Sequence, residues 1–289
     1  MRIRARTRVA RFAAGILASW SLLGCAEDPT TTGSTSNAYA SERTVIFFDD
    51  FLGTSIDTTK WTVLDRLSDQ VNHEVNCVVP GNVGVKDGVL EGMSKYENHS
   101  CGDSVDPPKP MRYTSWQIQQ ATKPFLYGTI EVRAKMPGGV GTWPAIWMLG
   151  HDWQASQPHT ANVPGHRWPN AGWCEIDIAE FWRGGRRRVN TTIHYNKPGG
   201  LHIKRLPFDA TSQFAVYRLE WTQGALIWSV DAEDGKGFRT LHSVRGAASI
   251  PNEPMYVVLH TAIGGMGGGD PNPATFPQTF FVDYVRVTQ

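Results

Sequence analysis

From about residue 44 to residue 289 the sequence breaks into short runs of β-branched and aromatic residues, separated by Gly, Pro, Asn and Asp. Ten runs stand out, at 45–48, 88–94, 115–119, 128–135, 174–181, 190–195, 215–221, 226–230, 255–261 and 279–287. Runs of this composition and length read as strands. No helical period persists, and nothing alternates strand with helix as a parallel α/β sheet would require. The 29 Gly and 18 Pro argue against bundles and coiled coils. With no repeat or linker in this stretch, the pattern predicts one all-β domain over 45–289, an antiparallel β-sandwich. The run Gly-Gly-Met-Gly-Gly-Gly-Asp at 264–270 lacks the Lys-Ser/Thr of a phosphate loop and its strand-to-helix setting. It reads as a flexible loop at a cleft rim.

The first 24 residues belong to a different physical class. Arg2, Arg4, Arg6, Arg8 and Arg11 precede a mostly apolar stretch from Phe12 to Leu23, and no acid occurs before Glu27. A basic start, a short apolar run and a small residue at the cut describe a secretory signal, too short to span a bilayer. Leu22-Leu23-Gly24-Cys25 also resembles a bacterial lipobox, in which Cys25 becomes the acylated first residue. An ordinary signal cut elsewhere, with Cys25 merely nearby, is the alternative. The polar, low-complexity run over 25–44 then reads as a flexible tether. The expected location is outside the cytoplasm of a bacterium, as a membrane-anchored lipoprotein or else periplasmic or secreted. The membrane is met only through the lipid. Removing residues 1–24 takes the formal charge from +1 to −4, so nothing draws the mature chain to nucleic acid.

Three cysteines remain in the body: Cys77, Cys101 and Cys174. Export permits a disulfide, and Cys77–Cys101 is the first choice because both flank one strand-rich segment, although spacing alone cannot fix the pairing. No Cys-x-x-Cys or His cluster points to zinc. The chain carries 11 Trp, which suits either an aromatic core or a surface that stacks sugar rings.

Function is concentrated in one segment. Glu175 and Asp177 are two apart on a strand and share a face, while Cys174, Ile176 and Ile178 share the other, which reads as core. Strict alternation would send Glu180 to the apolar side, where an unpaired charge costs several kcal/mol. One extra residue at Ile178-Ala179, a β-bulge, would return Glu180 to the face of Glu175 and Asp177. Glu175 and Glu180 would then be about 13 Å apart at Cα. Inward-leaning side chains could bring their carboxyl groups to about 5–6 Å, close to the spacing of retaining rather than inverting glycosidases. Glu175 would serve as nucleophile, Glu180 as acid and then base, and Asp177 as the group that tunes Glu175. A solvated face of an edge strand is the bland alternative, and the flanking Trp173 and Trp182 weigh against it.

With these residues in view, the sequence resembles glycoside hydrolase family 16, in its laminarinase-like branch with the bulged E-x-D-x-x-E signature. The segments at 48–61, 127–149 and 282–287 resemble the first strand, the strands before the signature and the last strand of that family. The resemblance implies a concanavalin A-like jelly-roll of two curved antiparallel sheets and a cleft on the concave face. It implies retaining endo-hydrolysis of a β-linked polysaccharide by a monomer, with no cofactor required. Laminarin-type β-1,3-glucan or mixed β-1,3/1,4-glucan is the leading substrate; agar, carrageenan or galactan, a transglycosylase, or a non-catalytic glycan-binding module are the alternatives. By resemblance, Trp143 and Trp173 are cleft aromatics, His194 contacts the site, and Asn72 and Glu74 reach the substrate. Trp147 and Trp221 read as core. Some members hold a structural calcium on the convex side, and Asp283 and Gly88 match those positions. The alternative there is that Asp283 only hydrogen-bonds the backbone.

Overall fold

Alternating burial runs through the strands, and it assembles them into two sheets. The computed structural model describes residues 43–68, 72–101, 109–150, 174–195 and 200–289. The strands, in chain order, are β1 (Val45–Asp49), β2 (Trp61–Val63), β3 (Arg66–Leu67), β4 (Asn76–Val78), β5 (Val83–Lys86), β6 (Val89–Cys101), β7 (Lys109–Ser115), β8 (Gln117–Gln120) and β9 (Gly128–Lys135). They continue with β10 (Thr142–Gly150), β11 (Cys174–Glu180), β12 (Arg188–Tyr195), β13 (His202–Arg205), β14 (Ala215–Trp221), β15 (Ala225–Asp231), β16 (Arg239–Arg245), β17 (Met255–Ile263) and β18 (Gln278–Thr288). One sheet has 11 strands, along β16-β15-β14-β9-β18-β6-β7-β4-β3 with β1 beside β18 and β5 beside β6. The other has seven, in the order β13-β12-β11-β10-β17-β8-β2. All ten expected strands are present. Short or charged ones such as β3, β13 and β16 carry too little apolar alternation to be read from sequence.

The all-β sandwich expectation holds, with one exception to antiparallel pairing: β4 runs parallel to β7. Strands β5 and β6 come between them in sequence, and β4 pairs on the side of β7 away from β6. Cys77 on β4 is bonded to Cys101 at the end of β6, with Cα atoms 5.6 Å apart. Cys174 is buried at the start of β11. The body begins slightly before residue 45. Thr44 exchanges backbone hydrogen bonds of 2.7 and 2.9 Å with Gln289, so the two ends of the domain are tied. The signal, Cys25 and the tether up to residue 42 lie outside the described residues.

The core lies between the sheets and takes four tryptophans whole: Trp61, Trp116, Trp221 and Trp228. An indole buried without a partner for its N–H is penalised, and three of these are satisfied. Trp61 donates to Asp49 (2.7 Å), Trp221 to the Pro251 carbonyl (3.1 Å) and Trp228 to the Asp177 carbonyl (2.9 Å). Trp116 needs Gly92 opposite it, where a Cβ would sit 1.9 Å from the ring. Strand β17 is buried along its whole length, because core covers one face and cleft side chains cover the other.

Candidate active site

The bulge on β11 assembles the site. On β10, Trp147 pairs with Asp177 and the next residue back, Ile146, pairs with Ala179, so Ile178 has no opposite number. On the other side Asp177 faces Thr192 and Glu180 faces Asn190, again with one residue extra on β11. Parity is restored, and Glu175, Asp177 and Glu180 share a face. Cross-strand partners point the same way, so the neighbours follow from register. Asn190, Glu180, Ala145, His260 and Gln117 form one row, and Thr192, Asp177, Trp147, Val258 and Gln119 the next.

Glu180 is buried but well supplied with donors. Trp143 Nε1 donates to its Oε1 (2.7 Å) and Asn190 Nδ2 to its Oε2 (2.9 Å). Burial raises its pKa, and the bonds from Trp143 and Asn190 oppose that rise. Glu175 and Asp177 share a hydrogen bond, and His194 Nε2 stands 3.7 Å from Glu175 and 3.5 Å from Asp177. Both carboxyls are raised, Glu175 by burial and then by the charge of Asp177, Asp177 by burial and then by the charge of Glu180. Burial and neighbouring negative charge both disfavour ionising the two carboxyls together. Asp177 keeps 3% of its side-chain exposure and Glu175 keeps 19%. Asp177 is the less solvated of the two, while the hydrogen bond between them raises Glu175 and lowers Asp177.

Trp143 is half-buried at the site, and its N–H adds a role that stacking alone would not require. Its N–H is committed to Glu180, Trp182 meets it edge-on at 5.8 Å, and Gly267 lies against it so closely that a Cβ would be 2.2 Å from the ring. The glycine run is therefore packed: Gly265–Gly268 forms a single helical turn, and glycine is needed for that close approach. Asn72 and Glu74 hold the other side of the same loop. The Asn72 carbonyl accepts the Met266 N–H (3.0 Å), and Glu74 bridges to Gly264. His73, Val75, Met266, Asp270 and Pro271 line a recess of about 400 Å³ there. Trp173 lies outside the described residues.

Trp147, expected in the core, instead stands half-buried on the carboxylate face, in a small apolar group with Leu149, Tyr256 and Val258. Asn190 and His260 were not singled out from sequence. Asn190 was reachable by alternation, two and four residues back from Thr192 and His194 on one strand face. His260 is held neutral, its pKa pushed down to about 3 by burial and the nearby Arg66.

Asp283 and Gly88 do not fit a calcium. Asp283 Oδ2 is 3.1 Å from Arg133 Nη1, and that guanidinium also grips Glu233 at 2.7 Å. The one carboxylate at the expected position already faces a fixed positive charge.

A profile described as "Glycosyl hydrolases family 16" matches residues 109–286, more than half of the chain. The chain belongs to glycosyl hydrolase family 16. Among its relatives, a glucan endo-1,3-beta-glucosidase A1 of Niallia circulans is 30% identical over 90% of the chain, which spans 40% of that protein's length. A beta-glucanase of Rhodothermus marinus is 32% identical over 67% of the chain and 71% of its own length. A LamA variant from Zobellia galactanivorans, crystallised with laminaritriose and laminaritetraose, superposes with a TM-score of 0.72 at 28% identity, covering 85% of this chain and 99% of that one. In this chain the carboxylate strand β11 is third from one edge of the seven-stranded sheet, and its overall likeness to the LamA structure is what bears on the fold. The jelly-roll expectation therefore stands.

Proposed function

We propose that the chain is a retaining, endo-acting hydrolase of β-glucan, with β-1,3-glucan or mixed β-1,3/1,4-glucan as substrate. The observation that carries this reading is the bulge, which turns Glu180 onto the face of Glu175 and beneath two hydrogen-bond donors. The ionised Glu175 attacks the anomeric carbon while Glu180 gives its proton to the departing glycosidic oxygen. Asp177 returns hydrogen-bonding to Glu175 as its charge is consumed and regenerated. In the second half, Glu180 takes a proton from the water that releases the glycosyl-enzyme. These side chains supply nucleophile and proton carrier, so hydrolysis needs no cofactor. The named glucanase relatives and the oligosaccharide-bound neighbour support glucan over galactan. The basic start, the apolar run and Cys25 support export and lipid anchoring.

Product analysis against laminarin, lichenan, agarose and carrageenan tests the substrate. Glu175→Gln should abolish hydrolysis of the cleaved glucan while the protein stays folded, and full residual activity would sink the assignment. Glu180→Ala should be partly rescued by azide with a β-glycosyl azide as product; an α product rules out retention.

A further inference from the structure

We propose that Glu175, Asp177 and His194 form a preorganised site for a divalent transition metal, with zinc as the probe, and that the bound ion silences hydrolysis by occupying the place of the sugar. The second clause rests on the function proposed above; the first does not.

Three observations carry it. One ligand atom from each of the three side chains lies within 4.8 Å of the others. The His194 nitrogen is 3.7 Å from the Glu175 oxygen and 3.5 Å from Asp177 Oδ2. Ligands about 2.0–2.1 Å from a tetrahedral ion stand roughly 3.3 Å from one another, so only small side-chain shifts separate this arrangement from coordination. Asp177 Oδ2 is buried with no hydrogen-bond partner, an acceptor directed at the His194 nitrogen. Such a group is costly to leave unsatisfied, and a cation would satisfy it.

The donor set decides which cation. An imidazole with two carboxylates suits zinc and its neighbours rather than calcium or magnesium, which favour all-oxygen shells. The backbone under the site is held as well: Asp177 is clamped by the Trp228 N–H at its carbonyl, so little ordering is required on binding. A metal here ties up the nucleophile's lone pairs. It also fills the open side of the site, which keeps three protein ligands and a vacant fourth position.

The test uses the full chain with Cys25→Ser, so that thiol cannot contribute. Zinc binding is measured by calorimetry and by competition with a fluorescent zinc indicator, and hydrolysis of laminarin by reducing ends. About one equivalent should bind, and both His194→Gln and Asp177→Asn should weaken it by more than about tenfold. Zinc should raise KM and leave kcat unchanged, and laminari-oligosaccharide should compete with zinc for the protein. Equal zinc affinity in both variants and the parent overturns the site. Binding at the site with no effect on KM and no competition overturns the inhibitory role. A chain that binds zinc through these residues yet cleaves no β-glucan overturns the proposed function and leaves the metal site standing; a chain that cleaves laminarin and binds no zinc does the reverse.

Discussion

Trp143 sets how readily Glu180 gives up its proton. Its N–H bonds one carboxylate oxygen at 2.7 Å and favours the ionised form, against a burial that disfavours it. Trp143→Phe keeps most of the ring and removes the donor, so the Glu180 pKa should climb. A hydrogen bond to a charged group contributes about 1.5–3 kcal/mol, enough to move a titration by about one pH unit or more. In the proposed mechanism Glu180 acts as acid and must be protonated, so the alkaline limb of kcat/KM against pH should move upward in this variant. A profile that falls in height without moving would show that Trp143 only packs. The role of Trp143 was not visible in the sequence, because an indole that stacks on sugar and one that donates to a carboxylate occupy the same kind of motif.

At the scale of the strand, the bulge is held from behind. Trp228, on β15 of the opposite sheet, donates to the Asp177 carbonyl at 2.9 Å, next to the unpaired Ile178. The extra residue interrupts the ladder, and this bond crosses the sandwich to fix what remains. Trp228→Phe should leave a buried carbonyl without its donor and lower stability by about 1–3 kcal/mol. It should lower kcat more than it changes KM, since the carboxylates lose alignment while the cleft walls stay. Denaturant melts with steady-state kinetics check this, and unchanged kcat would show that the bulge holds its shape without Trp228. The bulge itself was legible in the sequence: three acids spaced two and then three apart cannot share a regular strand face.

For the whole molecule, a buried carboxylate cluster is a liability to stability. Burial raises Asp177 well above the ordinary carboxyl range, followed by the charge of Glu180. The folded state therefore binds that proton more tightly than the unfolded chain does. Above the unfolded pKa the native protein holds more protons, and stability falls as pH rises through that window. Asp177→Asn removes the titration. Its melting temperature should exceed the parent's at neutral pH, with the difference shrinking toward pH 4, as expected where function is maintained against stability. A difference independent of pH would place the strain in packing instead of charge.

The sequence by itself determined the fold class, the carboxylate strand and its bulge, because these follow from residue-by-residue periodicity and the cost of burying a charge. It also indicated Cys77–Cys101 as the first choice, without excluding other pairings. Tertiary structure alone decided which residues from distant strands meet the carboxylates. Asn190 reaches Glu180 through the register of β11 with β12, Trp147 turns from core to cleft through the register of β10, and the glycine loop packs on Trp143. Register and close approach depend on how sheets align across the whole domain, and no local pattern encodes that alignment. The same holds for Asp283, whose neighbour Arg133 comes from a strand 150 residues away by sequence number. Its charge, not the aspartate's own position, decides what that site can hold.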